Sequence, residues 1–273
     1  VIIDVHHHLL DEADYVPRLL DECDRLSIDR VCLFGVSTLP GNFFSKGARL
    51  APTAPVTNLE VERACTQHPD RLIPFGFVRP GYDPPELVDE LYDRGFKGLK
   101  LMYPRTAYDD RANYPVYERA EKRGLPCLFH TGFVMRVSSD GANDVSSNGM
   151  QPVHLDAVAR RFPDLAIIAA HLGNGYHIEA SWLARMNPNV YLDLTMARYG
   201  WRAQVGPHFI RELLWWPGAW ERIVFGTDVH HSEMEHMLKE QRQLFGALNI
   251  PQETQERIFG ATMARLLGLK PDL

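Results

Sequence analysis

Cysteine is scarce in this chain. Its 273 residues hold four, Cys23, Cys32, Cys65 and Cys127, far apart and without a C-x-x-C pair. That spacing argues against a disulfide framework and against a cysteine-built structural zinc, and it points to a reducing, cytoplasmic setting. Also missing is any apolar run of about 20 residues that could span a bilayer. No basic n-region precedes the first apolar stretch, so neither a membrane anchor nor a secretory leader is expected. Positive charge is in deficit, with a formal net charge of -6, which removes the electrostatic reason to expect nucleic acid. No G-x-G-x-x-G turn follows the first strand, which weakens a dinucleotide reading.

What is present is alternation. Short apolar runs at 1–8, 30–35, 72–78, 97–102, 125–130, 165–171, 190–194 and 222–228 read as strands, and helical periodicity fills the intervals between most of them. Asn58 is a candidate helix cap. Eight strands alternating with helices, with no composition break, predict one domain over residues 1–273: an α/β fold, the (β/α)8 TIM barrel, with an open doubly wound sheet as the alternative. The segments 36–57 and 131–151 read as long loops without secondary structure, placed to act as lids that exclude water.

Barrels of this kind carry their chemistry where the strands end. The first strand ends in Asp4-Val-His6-His-His8, and residues at i and i+2 of a strand share a face, so His6 and His8 can converge on one ion. Strand five ends at His130, strand six at His171 and strand eight at Asp228. A lone histidine on an apolar strand is more often a satisfied core residue than a ligand. Four of them with an aspartate at one level of the barrel outweigh that reading. His7 has the opposite parity and is expected to pack outward. His230 and His231 read as exposed residues at a helix entry, with substrate contact as the alternative.

The segments DVHHH, GLKL, LFHTG, AAHLG and FGTD, in this order, resemble the metal-dependent amidohydrolase superfamily. More narrowly they resemble its amidohydrolase 2 branch, which includes aminocarboxymuconate-semialdehyde decarboxylase. The resemblance implies one divalent ion, zinc or alternatively manganese, held by His6, His8, His130 and Asp228. His171 would stand beside it as an acid/base or electrophilic group. A donor set of nitrogen and oxygen with an open position describes a catalytic site. In some relatives a carboxylated lysine on strand four bridges two metals, which makes Lys100 a candidate bridging ligand; its alternative is a buried lysine paired with a carboxylate such as Asp4. The chain departs from the pattern at Thr262, where the family's C-terminal element usually has Asn, and after Asp228, where Val229-His230-His231 replaces an aromatic residue and proline.

Cations and aromatics follow several strands: Arg79, then Tyr103 and Arg105, Arg136, and Arg198 with Tyr199. Arginine suits a carboxylate because its planar fork binds two oxygens, so a small carboxylated substrate is expected, with Arg198 the first choice of contact. Two chemistries fit. The first is hydrolysis of a lactone, ester or amide by metal-activated water, with Asp228 and His171 catalytic. The second is non-oxidative decarboxylation of an aromatic or muconate-type acid. A non-catalytic metal-binding relative is the third class, disfavoured by the complete donor set. Association into a homo-oligomer is a family-level expectation.

Overall fold

The computed structural model describes residues 1–35, 41–45, 49–53, 55–134, 144–196 and 200–269, the segments 41–45 and 49–53 in their backbone only. Eight parallel strands form one sheet: β1 (Ile3–His8), β2 (Arg30–Phe34), β5 (Leu72–Val78), β6 (Gly98–Leu101), β7 (Cys127–Phe129), β8 (Ile167–Ala169), β9 (Val190–Asp193) and β10 (Ile223–Val224), in that spatial order. Helices cover the crossovers, as parallel pairing requires. The sheet curls shut through backbone bonds between its outer members: Val5 N–H donates to Phe225 O at 3.0 Å, and Asp228 N–H to His6 O at 2.7 Å. The result is the (β/α)8 TIM barrel expected from the alternation.

Both faces of these strands are apolar because each faces a different layer. Leu128 points into the barrel with Phe34, Phe75, Ile168 and Val224. Its neighbours Cys127 and Phe129 face the helices, as do Leu99, Leu101, Ile223 and Phe225. Burying each such side chain contributes about 1.5–3 kcal/mol. Met263, from the last helix, joins the inner layer with Leu266, Leu267 and Leu269 packed against it. Gly260 lies so close to Val1 O that a Cβ there would collide with it. The C-terminal helix thus plugs the end of the barrel where β1 begins.

Three local expectations are corrected. Residues 36–57 are not all irregular: β3 (Gly41–Ser45) pairs antiparallel with β4 (Arg49–Thr53) as a hairpin. The helix Asn58–Gln67 is capped by Thr57, not Asn58; Glu60 accepts from Thr57 N–H at 2.6 Å and completes a capping box. The ladders of β7, β8 and β10 also stop before His130, His171 and Asp228. These three residues sit in the turns beyond the strands.

Candidate active site

β1 is not a regular strand. Its pairing with β2 runs Asp4 to Val31 but His7 to Leu33, so one extra residue is inserted on the β1 side. Such a bulge re-aims side chains. Ile3 and Val5 face the barrel interior, and after the irregularity His6 and His8 do as well. Asp4 therefore does not share their face. Its carboxylate accepts from Thr227 N–H at 2.9 Å, Thr227 Oγ1 at 2.5 Å and His6 N–H at 3.0 Å. His7 faces the helix layer as its parity predicts, bonded to Thr227 Oγ1 at 3.1 Å and Tyr15 OH at 2.9 Å.

Inside the barrel, Asp228 Oδ1 lies 3.4 Å from His6 Nε2 and 3.3 Å from His8 Nε2. One donor atom from each of the three lies within 4.8 Å of the others. His171 Nδ1 is 3.8 Å from Asp228 Oδ2. His130 stands behind His171, its Nδ1 3.1 Å from His171 Nε2, and lies outside that closest trio. Lys100 Nζ reaches His6 Nε2 at 3.0 Å and is fully buried. It faces the interior opposite Leu99 and Leu101, and it does not pair with Asp4.

Asp193, at the end of β9, was not singled out in the sequence. It is fully buried and accepts from His6 Nδ1 at 2.7 Å, His171 N–H at 2.7 Å and Thr195 Oγ1 at 2.6 Å. The signal was an acid inside the apolar run Val190-Tyr-Leu-Asp193-Leu, a residue that cannot be buried there without partners.

The hydrogen-bond network assigns the protons. Asp193 accepts the Thr195 hydroxyl, so Thr195 Oγ1 accepts from His171 Nδ1 at 2.7 Å. His171 Nε2 then accepts from His130 Nδ1. That leaves a lone pair on His130 Nε2, which is buried and has no hydrogen-bond partner. By the same logic His6 donates from Nδ1 to Asp193, and its Nε2 lone pair faces Asp228 and Lys100.

Electrostatics favour these states. Burial pushes His8 and His171 down to about 4 and His130 well below its ordinary value, so these imidazoles are neutral near pH 7. Burial alone would raise Asp228 and Asp193. Neighbouring His6 and His171, with a bond from His8 in one case and from His6 in the other, hold both carboxyls below the usual range. Burial pushes Lys100 down to about 8, against the pull of Asp228 and Asp193. Neutral imidazoles beside carboxylates, with an orphaned nitrogen on His130, fit a divalent ion. Lys100 competes for the His6 lone pair.

The turns that carry this site are strained. His171 (φ 62°) and Asp228 (φ 50°) occupy the left-handed region, costly for non-glycine residues. Gly132 (φ +91°) follows His130 closely and packs on Gly173 O, leaving no room for a Cβ.

The substrate contacts expected from sequence are distributed differently. Tyr103 is buried with φ 53°, and its carbonyl accepts from Arg79 Nε at 3.4 Å. Arg105 is exposed, 5.9 Å from the Tyr82 ring, and buried Arg79 lies over the same ring at 3.9 Å. Arg136, Arg198 and Tyr199 lie outside the described residues. His230 and His231 are not exposed: the first is buried and the second partly so, because Glu12 and Tyr15 close over them. No described helix is long and apolar enough to cross a membrane.

Comparison with known proteins adds three findings. A family profile described as Amidohydrolase matches residues 3–269. Among curated proteins, Protein fluG of Emericella nidulans is 35% identical over 69 residues, 25% of this chain and only 7% of that protein. Similar solved structures include an uncharacterized TIM-barrel protein from Bordetella bronchiseptica (20% identity, TM-score 0.68, 98% of each chain). A probable 2-pyrone-4,6-dicarboxylic acid hydrolase from Acinetobacter baumannii, with citric acid bound, gives 15% identity and TM-score 0.63 over 98% of this chain and 99% of that one. A dihydroxybenzoic acid decarboxylase from Polaromonas sp. JS666, with manganese and the inhibitor 2-nitroresorcinol, gives 15% and 0.65 over 98% and 96%.

Proposed function

The chain belongs to the amidohydrolase family, a family of metal-dependent enzymes acting on small molecules, and from that premise we propose that it is a hydrolase cleaving a lactone, ester or amide of a small carboxylated substrate. The observation that carries this reading is the approach of His6, His8 and Asp228 beside the unpartnered nitrogen of His130. These four residues would hold one divalent ion, zinc by donor chemistry and manganese as the alternative. When bound, the ion supplies Lewis acidity, polarising a carbonyl oxygen and making water nucleophilic near neutral pH.

The remaining steps fall to the chain's own residues. Asp228 stays a carboxylate at neutral pH and takes the proton from the attacking water. His171, its ring held by Thr195 and His130, steadies the developing negative charge through its Nδ1 proton, or gives that proton to the leaving group and regains one from Asp228, whose Oδ2 lies 3.8 Å from Nδ1. Asp193 does not reach the reacting atoms; it fixes the His6 tautomer.

Decarboxylation is the second reading, and Lys100 favours it. A buried ammonium beside the trio can attract a carboxylate and return a proton after CO2 leaves. The solved decarboxylase with manganese shares this fold. A panel of lactones, carboxylated phenols and muconates, followed for acid release against CO2 release, separates the two; CO2 without acid release overturns hydrolysis. His171→Asn is expected to keep its metal while turnover falls about 10²–10⁴-fold, and unchanged turnover removes His171 from the mechanism.

A further inference from the structure

Glu12, His230 and His231 form a second group of donor side chains, one atom from each within 4.8 Å of the others. Glu12 follows β1, and the histidines follow β10, the two strands at which the barrel closes. The group lies behind His7, on the helix side of β1. The Tyr15 ring packs nearly perpendicular to both imidazoles, centroids 5.7 and 5.2 Å apart, while its hydroxyl bonds to His7 and to His8 O.

Proton assignment is informative here too. Ser232 N–H donates to His230 Nδ1 at 3.2 Å, so His230 carries its proton on Nε2 and gives it to Glu12 Oε2 at 3.0 Å. The two imidazoles lie 4.0 Å apart. His231 Nε2 is buried and has no hydrogen-bond partner, an expensive state for a polar atom. Two imidazole nitrogens and one carboxylate suit a borderline divalent transition ion, not magnesium or calcium.

We propose that Glu12, His230 and His231 form a second divalent-metal site, separate from the His6–His8–Asp228 trio, that takes a zinc-like ion. Binding takes the Nε2 position that His230 now uses toward Glu12; the ring keeps its one proton, which moves to Nδ1, where Ser232 Oγ at 2.8 Å can accept it, and the His231 nitrogen gains a partner. Only Val229 separates His230 from Asp228, so an ion here would pin the turn carrying Asp228 to the segment after β1. Arg18, on the helix beside His231, is a neighbouring cation that the site must tolerate.

Zinc titration of the full chain, read by calorimetry and by elemental analysis after dialysis into non-chelating buffer, tests this. Wild-type protein is expected to hold two equivalents. Glu12→Gln and His231→Asn are each expected to hold one, as is His8→Asn, while His8→Asn with His231→Asn holds none. Wild-type saturation at one equivalent that His8→Asn abolishes and His231→Asn leaves in place overturns the proposal. So does retention of two equivalents by folded Glu12→Gln, or loss of the second equivalent in Lys100→Met instead, which assigns it to a lysine-bridged pair. Loss in His231→Asn with none in His8→Asn sinks the reading of the main site and leaves this one standing.

Discussion

Asp193 decides which nitrogen His6 offers to the barrel interior. Its carboxylate takes the Nδ1 proton at 2.7 Å and leaves the Nε2 lone pair toward Asp228. Asparagine in its place can present a donor to Nδ1 and permit the opposite tautomer. Asp193→Asn is therefore expected to weaken zinc binding by about 10–100-fold, measured by competition with a chromogenic chelator, with the fold intact by circular dichroism. Unchanged affinity would mean that Lys100 alone fixes the ring. Asp193 escaped the sequence reading for a specific reason. The strand-end histidines and Asp228 were visible because apolar runs stop at them, whereas Asp193 sits within its run, and only three-dimensional contact with β1 shows what it does.

The strand-end turns are built for close approach. Gly132 has its Cα against Gly173 O at a φ that side chains rarely adopt, which locks the turn after β7 to the turn after β8. Gly132→Ala is expected to lower stability by more than about 1 kcal/mol, read from urea midpoints. It is also expected to reduce turnover, because it moves His130 against His171. A stable, fully active variant would show the turns to be independent. Alternation of strands and helices was legible because Leu128 and its flanking Cys127 and Phe129 are all apolar for different layers, giving continuous runs. The hairpin at β3 and β4 was not, since the glycines and the proline of 41–53 suggest breaks when read locally. The irregularity in β1 left no trace in residue type. The exposure expected for His230 and His231 failed because Glu12 and Tyr15, distant in sequence, cover them.

At the scale of the whole molecule, burial sets the response to alkali. Burial raises the Cys23 and Cys65 thiols from 9.0 to about 12 and pushes Tyr15, Tyr108 and Tyr117 well above 10.0. The folded chain keeps these protons where an unfolded chain would release them. Their contribution to stability is thus complete below about pH 9 and is lost as pH rises toward 12. Urea midpoints should be level between pH 7 and 8 and fall between pH 9 and 11. A disulfide reagent at pH 8 should find no reactive thiol in the native protein and four after unfolding, since all four are free and buried; rapid labelling before unfolding would contradict this. Fold and family were legible along the entire chain, but the reaction was not. Substrate choice rests on side chains at the barrel mouth, and two of the arginines read as contacts lie outside the described residues.

The irregularity in β1 can be seen as a phase slip of half a period. Up to Val5 the strand keeps one beat, with Ile3 and Val5 inward; from His6 it keeps the opposite beat. Without the slip, the same Val-His-His-His would show the interior a single imidazole, that of His7, and turn the other two toward the helices. One surplus residue doubles the imidazoles on the inner wall and frees the third to bond with Thr227 and Tyr15. The histidine triplet puts an imidazole inward in either phase, and the slip determines whether the barrel receives one or a pair.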